Sequence, residues 1–228
     1  WITSLEFTSV VSSVVLVTTT PLWVAIAAPL TIKEPITRVV GLGLLISMAG
    51  TFVVGMSDAC TFGDGVFCPP VSEFIQGKAF LGDLLALIGA WVAAGYVIIG
   101  RSVREKLSVV PYVFLVYGFS AVILVVMALL TGQPLVGFSG QSYLWLILLG
   151  LVPQLIGHSI YNWSLGYLPA SIVAVTLLGE PIGTSILAFL LLGETPGWIK
   201  SIGGVLILGG IVIASLNGEA DGKKPKIV

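Results

Sequence analysis

Long apolar runs separated by short polar breaks dominate the chain. Divided at charges and turn residues, they predict seven helical spans, at about 7–32, 37–56, 79–100, 109–131, 142–165, 168–192 and 197–216. Each approaches the roughly 20 residues an α-helix needs to cross the hydrocarbon core of a bilayer. Residues 1–5 read as the tail of an earlier helix or as a surface segment. The sixth run stands apart because it carries Glu180 beside Pro181 at its midpoint. Proline removes a backbone donor and clashes with the carbonyl four residues back, so this helix is predicted to kink or open where the acid sits. A charge at that depth is expensive, and such residues usually face an interior pathway.

Composition sharpens this into an all-α integral membrane protein. Of 228 residues, 57% are hydrophobic and only 9% charged, against roughly 25% charged in a soluble domain. The formal net charge of −1 and the lack of a basic patch interleaved with aromatics set nucleic acid aside as a partner. No G-x-x-x-x-G-K-[ST] sequence is present to cradle a nucleotide triphosphate. One histidine and two cysteines leave little from which to build a metal cluster, so no metal or cofactor is expected. Residue 1 is Trp, and no charged segment with a cleavage site follows it, so the start does not read as a signal peptide; the chain looks truncated.

If successive loops alternate sides, one side holds Lys33, Arg38, Arg101, Arg104, Lys106, Lys223, Lys224 and Lys226, and the other only Lys78 and Lys200. The positive-inside rule then makes the C-terminal tail, 217–228, cytoplasmic. It makes the 57–78 loop extracytoplasmic, with Cys60 and Cys68 in it. In an oxidising compartment these two suit a short structural disulfide; two free thiols are the alternative.

An internal repeat organises the rest. A gapless shift of 160 residues lays Ser4 and Leu5 on Ser164 and Leu165, Phe7 on Tyr167, Pro21 on Pro181, Ala28 on Ala188, Glu34 on Glu194, Gly43 on Gly203 and Gly50 on Gly210. Five spans separate the copies, so the two halves are expected to be inverted relative to each other, as in many secondary transporters. Residues 1–56 are then the last two helices of the first repeat and 79–216 the five helices of the second. Partners for the three helices at 79–163 would precede residue 1, giving an expected ten spans and roughly 80 further residues. The pairs "TTTPLWVAIAAPLTIKEPIT" with "GLGLLISMAG", and "LLGEPIGTSILAFLLLGETPG" with "SIGGVLILGGIVI", resemble the ends of the two repeats of the EamA-type family in the drug/metabolite transporter superfamily. "LGDLLALIGAWVAAGYVIIGR" resembles the opening of that family's second repeat. The resemblance implies a ten-helix carrier of a plasma membrane, in bacteria the inner membrane, that moves small metabolites such as amino acids, often outward.

Several residues could carry such chemistry. Thr176, Glu180 and Thr184 share one helix face, and a carboxylate there could take up and release a proton as a cavity opens to each side. The repeat partner of Glu180 is Thr20. In the preceding span Gln154, His158, Tyr161 and Asn162 lie along one face. Counting outward from the turn near Tyr167 puts Gln154 level with Glu180, His158 with Thr176, and Pro153 with Pro181. Kinks are expected at Pro21, Pro153 and Pro181, since irregular backbone in a membrane lines a cavity or is covered by protein. His158 could relay protons with Glu180, or simply serve as an interhelical hydrogen bonder. Trp91, Tyr96 and Tyr117 could stack on a planar substrate or merely pack. Glu34 and Glu194, followed by Pro35 and Pro196, read as caps of the helices after them. Gly43 with Gly50, and Gly203 with Gly210, let another helix approach closely, within the chain or in a homodimer.

The expected function is therefore a secondary transporter working by alternating access, with a small-molecule substrate near Glu180, Gln154, His158 and Trp91, and proton coupling through Glu180. An integral membrane enzyme is the weaker alternative, because the external loop offers Asp58, Asp64, Glu73 and Lys78 but no nucleophile with a base. A non-transporting membrane scaffold has no use for a mid-bilayer acid beside proline.

Overall fold

The structure, a computed structural model, describes residues 1–62, 66–68, 78–193, 195 and 197–216. After a 3-10 turn at Ile2–Glu6, the helices are α1 (Val10–Val17), α2 (Thr20–Thr31), α3 (Arg38–Ala59), α4 (Lys78–Arg104), α5 (Val109–Leu130) and α6 (Gly140–Leu149). A π-helical segment, Gly150–His158, leads into α7 (Ser159–Ser164); then come α8 (Ala170–Thr176), a 3-10 turn at Leu177–Gly179, α9 (Glu180–Leu192) and α10 (Trp198–Leu216). Among the described residues, seven segments are long and apolar enough to cross a membrane: Ser12–Thr31, Arg38–Ser57, Lys78–Arg104, Val109–Leu130, Gly140–Ser164, Ala170–Leu191 and Trp198–Leu216. These are the seven spans the apolar pattern predicts. A short hairpin, β1 (Thr61–Phe62) with β2 (Val66–Phe67), pairs Thr61 with Phe67 and Phe62 with Val66. Cys60 and Cys68 close it with a disulfide.

Side-chain caps fix several helix starts. Ser9 accepts from the Ser12 backbone N–H, Thr37 from that of Val40 and Ser139 from that of Ser142, each satisfying a donor that has no partner inside the helix. At the far end of α5, Gly132 takes a φ of 67°, the left-handed conformation that closes a helix without a Cβ clash.

Proline chemistry shapes three spans. Pro21 has no N–H to give to the Val17 carbonyl, and the helix breaks at Thr18–Thr19; the Thr20 hydroxyl donates to Val17 O instead, at 2.7 Å. Thr18 and Thr19 do the same for Val15 O and Leu16 O. Pro181 likewise deprives Leu177 O, which the Glu180 N–H reaches through a tighter 3-10 bond. The third proline, Pro153, lies inside the π-helical segment. The first and sixth spans are thus each broken at the same register of the 160-residue repeat, Thr18–Thr19 against Leu178–Gly179.

The chain forms two compact units. One comprises Trp1–Ile98 and Pro169–Val228, the other Ile99–Leu168. The core of the first gathers Leu44 and Val54 of α3, Val175 of α8, Leu178, and Ile207 and Ala214 of α10. Its most extensive helix pair is α3 with α10. They cross at glycines: a Cβ on Gly43 would sit 2.5 Å from Gly210 O, and one on Gly50 would sit 2.6 Å from Gly203 O. Midway, the Ser47 hydroxyl donates to Ile207 O at 3.2 Å. Backbone meets backbone here, which only glycine permits. The four glycines singled out in the sequence therefore pack against one another within the chain.

In the second unit two arginines of the last turn of α4 tie it to the end of α7. Arg101 donates to Leu165 O at 3.0 Å and pairs with Glu105 at 3.2 Å. Arg104, only 7% exposed, gives its Nε to Asn162 O at 2.9 Å and an Nη to Leu107 O.

Candidate functional site

The predicted site residues divide between the two units. In the first, Glu180 opens α9 directly after the 3-10 break, and both it and Thr176 are exposed. The Thr176 hydroxyl donates to Val173 O at 2.7 Å, satisfying a carbonyl of its own helix. Thr184 lies in α9 with Glu180. Thr20 is buried, 4% exposed, and besides Val17 O its hydroxyl approaches Ala90 O of α4 at 3.4 Å. It serves a helix contact rather than opening to a ligand. Trp91 of α4 is 45% exposed. Its neighbour is Trp23 of α2, with ring centroids 5.4 Å apart and planes at 86°. The Trp23 ring is held in place by its Nε1–H, which donates to Thr19 Oγ1 at 3.0 Å. Trp23 carried no functional reading in the sequence; its only signal was a place two residues after Pro21.

The second unit holds the rest. Gln154 and His158 are exposed along the π-helical segment, and the His158 and Tyr161 rings meet edge to face at 6.4 Å. Asn162 is fully buried. Its Nδ2 donates to Tyr117 Oη at 3.3 Å, and that hydroxyl also lies 3.3 Å from Ser159 Oγ and 3.5 Å from Gln154 O. Tyr117 therefore reads a carbonyl of the π-helical segment, where widened turns loosen the backbone ladder. Asn162 supports this hydroxyl from behind rather than offering its amide outward.

An apolar groove of about 470 Å³ runs between α9 and α10, lined by Pro181, Ile182, Phe189, Gly204 and Leu208 among others. Glu180 is not among its lining residues, and a wall so poor in polar groups suits acyl chains better than a polar metabolite. Among the described residues, no three His, Cys, Asp or Glu side chains are grouped as metal ligands.

Glu34 departs from its predicted role. The cap of α3 is Thr37, and Glu34 instead reaches 136 residues along the chain, its Oε2 accepting from the Ala170 N–H at the start of α8 at 2.8 Å. The reason is geometric: the Lys33–Pro35 link places the carboxylate beside a helix start with free N–H groups and no side-chain cap of its own. Glu194, Pro196 and the 217–228 tail lie outside the described residues. Asp83 of α4, which the sequence reading did not single out, accepts from Thr8 Oγ1 at 2.7 Å and Ser12 Oγ at 2.8 Å.

Comparison with known proteins decides the family. Residues 80–216 match the model of the EamA-like transporter family. The chain belongs to this family. It is 27% identical over 202 residues to an uncharacterized transporter, YdfC, of Bacillus subtilis, covering 88% of this chain and 61% of that protein. An uncharacterized transporter of Archaeoglobus fulgidus is 24% identical over 145 residues, 63% of this chain and 50% of that one. One from Clostridium kluyveri is 26% identical over 199 residues, covering 85% and 60%. The chain thus spans between half and two thirds of the length of these relatives. A solved crystal structure superposes with a TM-score of 0.73 over 96% of this chain and 71% of its own, at 20% identity, a likeness of fold. As an EamA-like chain with seven apolar helices, it is a multi-pass membrane protein.

Proposed function

We propose that the chain is the larger part of a secondary carrier that moves small metabolites, amino acids among them, outward across a plasma membrane by alternating access, with its C-terminus cytoplasmic. The observation that carries this reading is the paired break. Spans one and six, related by 160 residues, are both interrupted at one register, and the second interruption delivers a carboxylate, Glu180, onto the first turn of α9. Discontinuous helices that present a polar group in mid-span are how transporters build midplane sites.

The α3–α10 crossing supports the inversion of the two halves. Gly43 meets Gly210, the copy of Gly50, while Gly50 meets Gly203, the copy of Gly43. Such a reciprocal, antiparallel contact between two copies of one helix is that of a two-fold axis perpendicular to both. For spans crossing a bilayer that axis lies in the membrane plane, and the halves then point in opposite directions.

Within this reading Glu180 exchanges a proton with each side in turn. In the same unit, the Trp23–Trp91 corner supplies planar contacts to substrate. Membership of a transporter family, and relatives named as transporters, favour a carrier over an enzyme or a scaffold.

The test uses the full-length protein in liposomes and a labelled panel of amino acids and small metabolites, with and without a pH gradient. Gradient-driven accumulation that Glu180→Gln abolishes is the expected result. Transport whose pH dependence survives in Glu180→Gln would falsify the proton role, and no movement of any panel member would remove the carrier reading.

A further inference from the structure

Asp83 is a carboxylate for which the carrier reading has no use, and it is engaged across a long sequence separation. Its Oδ1 accepts from both Thr8 and Ser12, hydroxyls 75 and 71 residues away, the first just before α1 and the second inside its first turn. The approach is close: a Cβ on Gly82 would stand 2.7 Å from the Thr8 backbone N. Below this contact the same side of α4 is sealed, with Ala86 and Ala90 0% exposed and Ala94 4% exposed. The Asp83 contact therefore forms the rim of a closed seam.

Residues 1–56 and 79–216 belong to different halves in the proposed carrier, so the contact joins the halves at one end of the first span. Glu34, accepting from the Ala170 N–H, joins them at the other end. The two contacts are separated by α1 and α2, which run from Val10 to Thr31, about 30 Å at 1.5 Å per residue. The repeat makes the ends chemically unequal. The copies of Thr8 and Ser12 are Leu168 and Ile172, which have no hydroxyl to donate.

We propose that Asp83 is a gating residue: it holds α1 shut on α4 through the hydroxyls of Thr8 and Ser12, and it releases them when that side of the pathway opens. The proposal rests on the carrier reading, and its chemistry is specific. The latch needs an acceptor oxygen at position 83 and two hydroxyl donors opposite, and it does not need a mobile proton. Each bond is charge-assisted, so losing both shifts the closed population strongly.

The test is thiol labelling of the full-length protein in liposomes without reductant, where Cys60 and Cys68 are tied up as a disulfide. Ala86→Cys reports the seam and Leu44→Cys, 4% exposed in the α3–α10 core, reports general loosening. Asp83→Ala should speed maleimide labelling at Ala86→Cys by about tenfold or more, the effect of losing a charge-assisted hydrogen bond. Thr8→Val with Ser12→Ala should do the same without touching the carboxylate. Asp83→Asn, whose amide oxygen still accepts but carries no charge, should fall between the parent and Asp83→Ala. Unchanged labelling in Asp83→Ala, an equal rise at Leu44→Cys, or an Asn variant as open as the Ala variant each overturns the latch. A Thr8→Cys/Asp83→Cys pair joined by a short bis-maleimide should stop whatever panel uptake the parent shows, and uptake that continues overturns the gate. A parent that moves nothing overturns the carrier reading instead, while the labelling still reads the latch by itself.

Discussion

Replacing Gly210 with alanine should cost far more than replacing Gly209, its neighbour on the same helix. A Cβ at Gly210 would overlap Ser47 Oγ and lie 2.5 Å from Gly43 O and 2.6 Å from the Ser47 backbone N, whereas one at Gly209 meets nothing within 4 Å. Ordinary contacts begin near 3.4 Å, so the first substitution must push α3 and α10 apart by about 1 Å. Two of the three colliding atoms are backbone and cannot rotate away, which puts the cost at the upper end of overpacking, about 3 kcal/mol. Alanine's better helix propensity returns about 1 kcal/mol at either site. The pair should therefore differ by about 3 kcal/mol, with Gly209→Ala neutral or slightly stabilising. For a chain of this size that corresponds to roughly 6–12 °C in melting temperature. Heating the detergent-solubilised protein and following the monodisperse fraction by size exclusion measures the difference. Gly210→Ala and Gly209→Ala melting within about 2 °C of each other would mean that these helices do not cross at Gly43 and Gly210.

Arg104→Ala should destabilise by about 2–4 kcal/mol, because it strips Asn162 O and Leu107 O of a buried cationic donor, with Arg104→Lys intermediate since one ammonium cannot span both carbonyls; the yield of folded protein at rising temperature reads this. Cys60→Ser should lower stability by about 2.5 kcal/mol through the freed loop and expose one thiol to alkylation, where the parent without reductant shows none. An unreduced parent that alkylates at Cys60 would show that the bond does not form.

The apolar pattern by itself determined seven spans, their approximate limits and their membrane setting, because a bilayer demands about 20 apolar residues and internally satisfied backbone whatever the fold. The breaks of the first and sixth spans fall where Pro21 and Pro181 each remove one N–H at a fixed place in the ladder, a local effect that needs no tertiary partner, whereas Pro153 lies within a π-helical segment of an uninterrupted span. The 160-residue repeat was legible for the same reason, through prolines, glycines and acids in register. Tertiary structure decided what each side chain touches. Glu34 caps α8 instead of α3 because a carboxylate takes the nearest uncapped helix start in space. Asp83 went unremarked among leucines and glycines until Thr8 and Ser12, more than 70 residues away, came within 2.8 Å. Trp23 gained a partner only when α2 met α4. Asn162, on the same predicted face as Gln154, turned out fully buried behind Tyr117, since helix periodicity says which residues share a face but not which neighbour covers it.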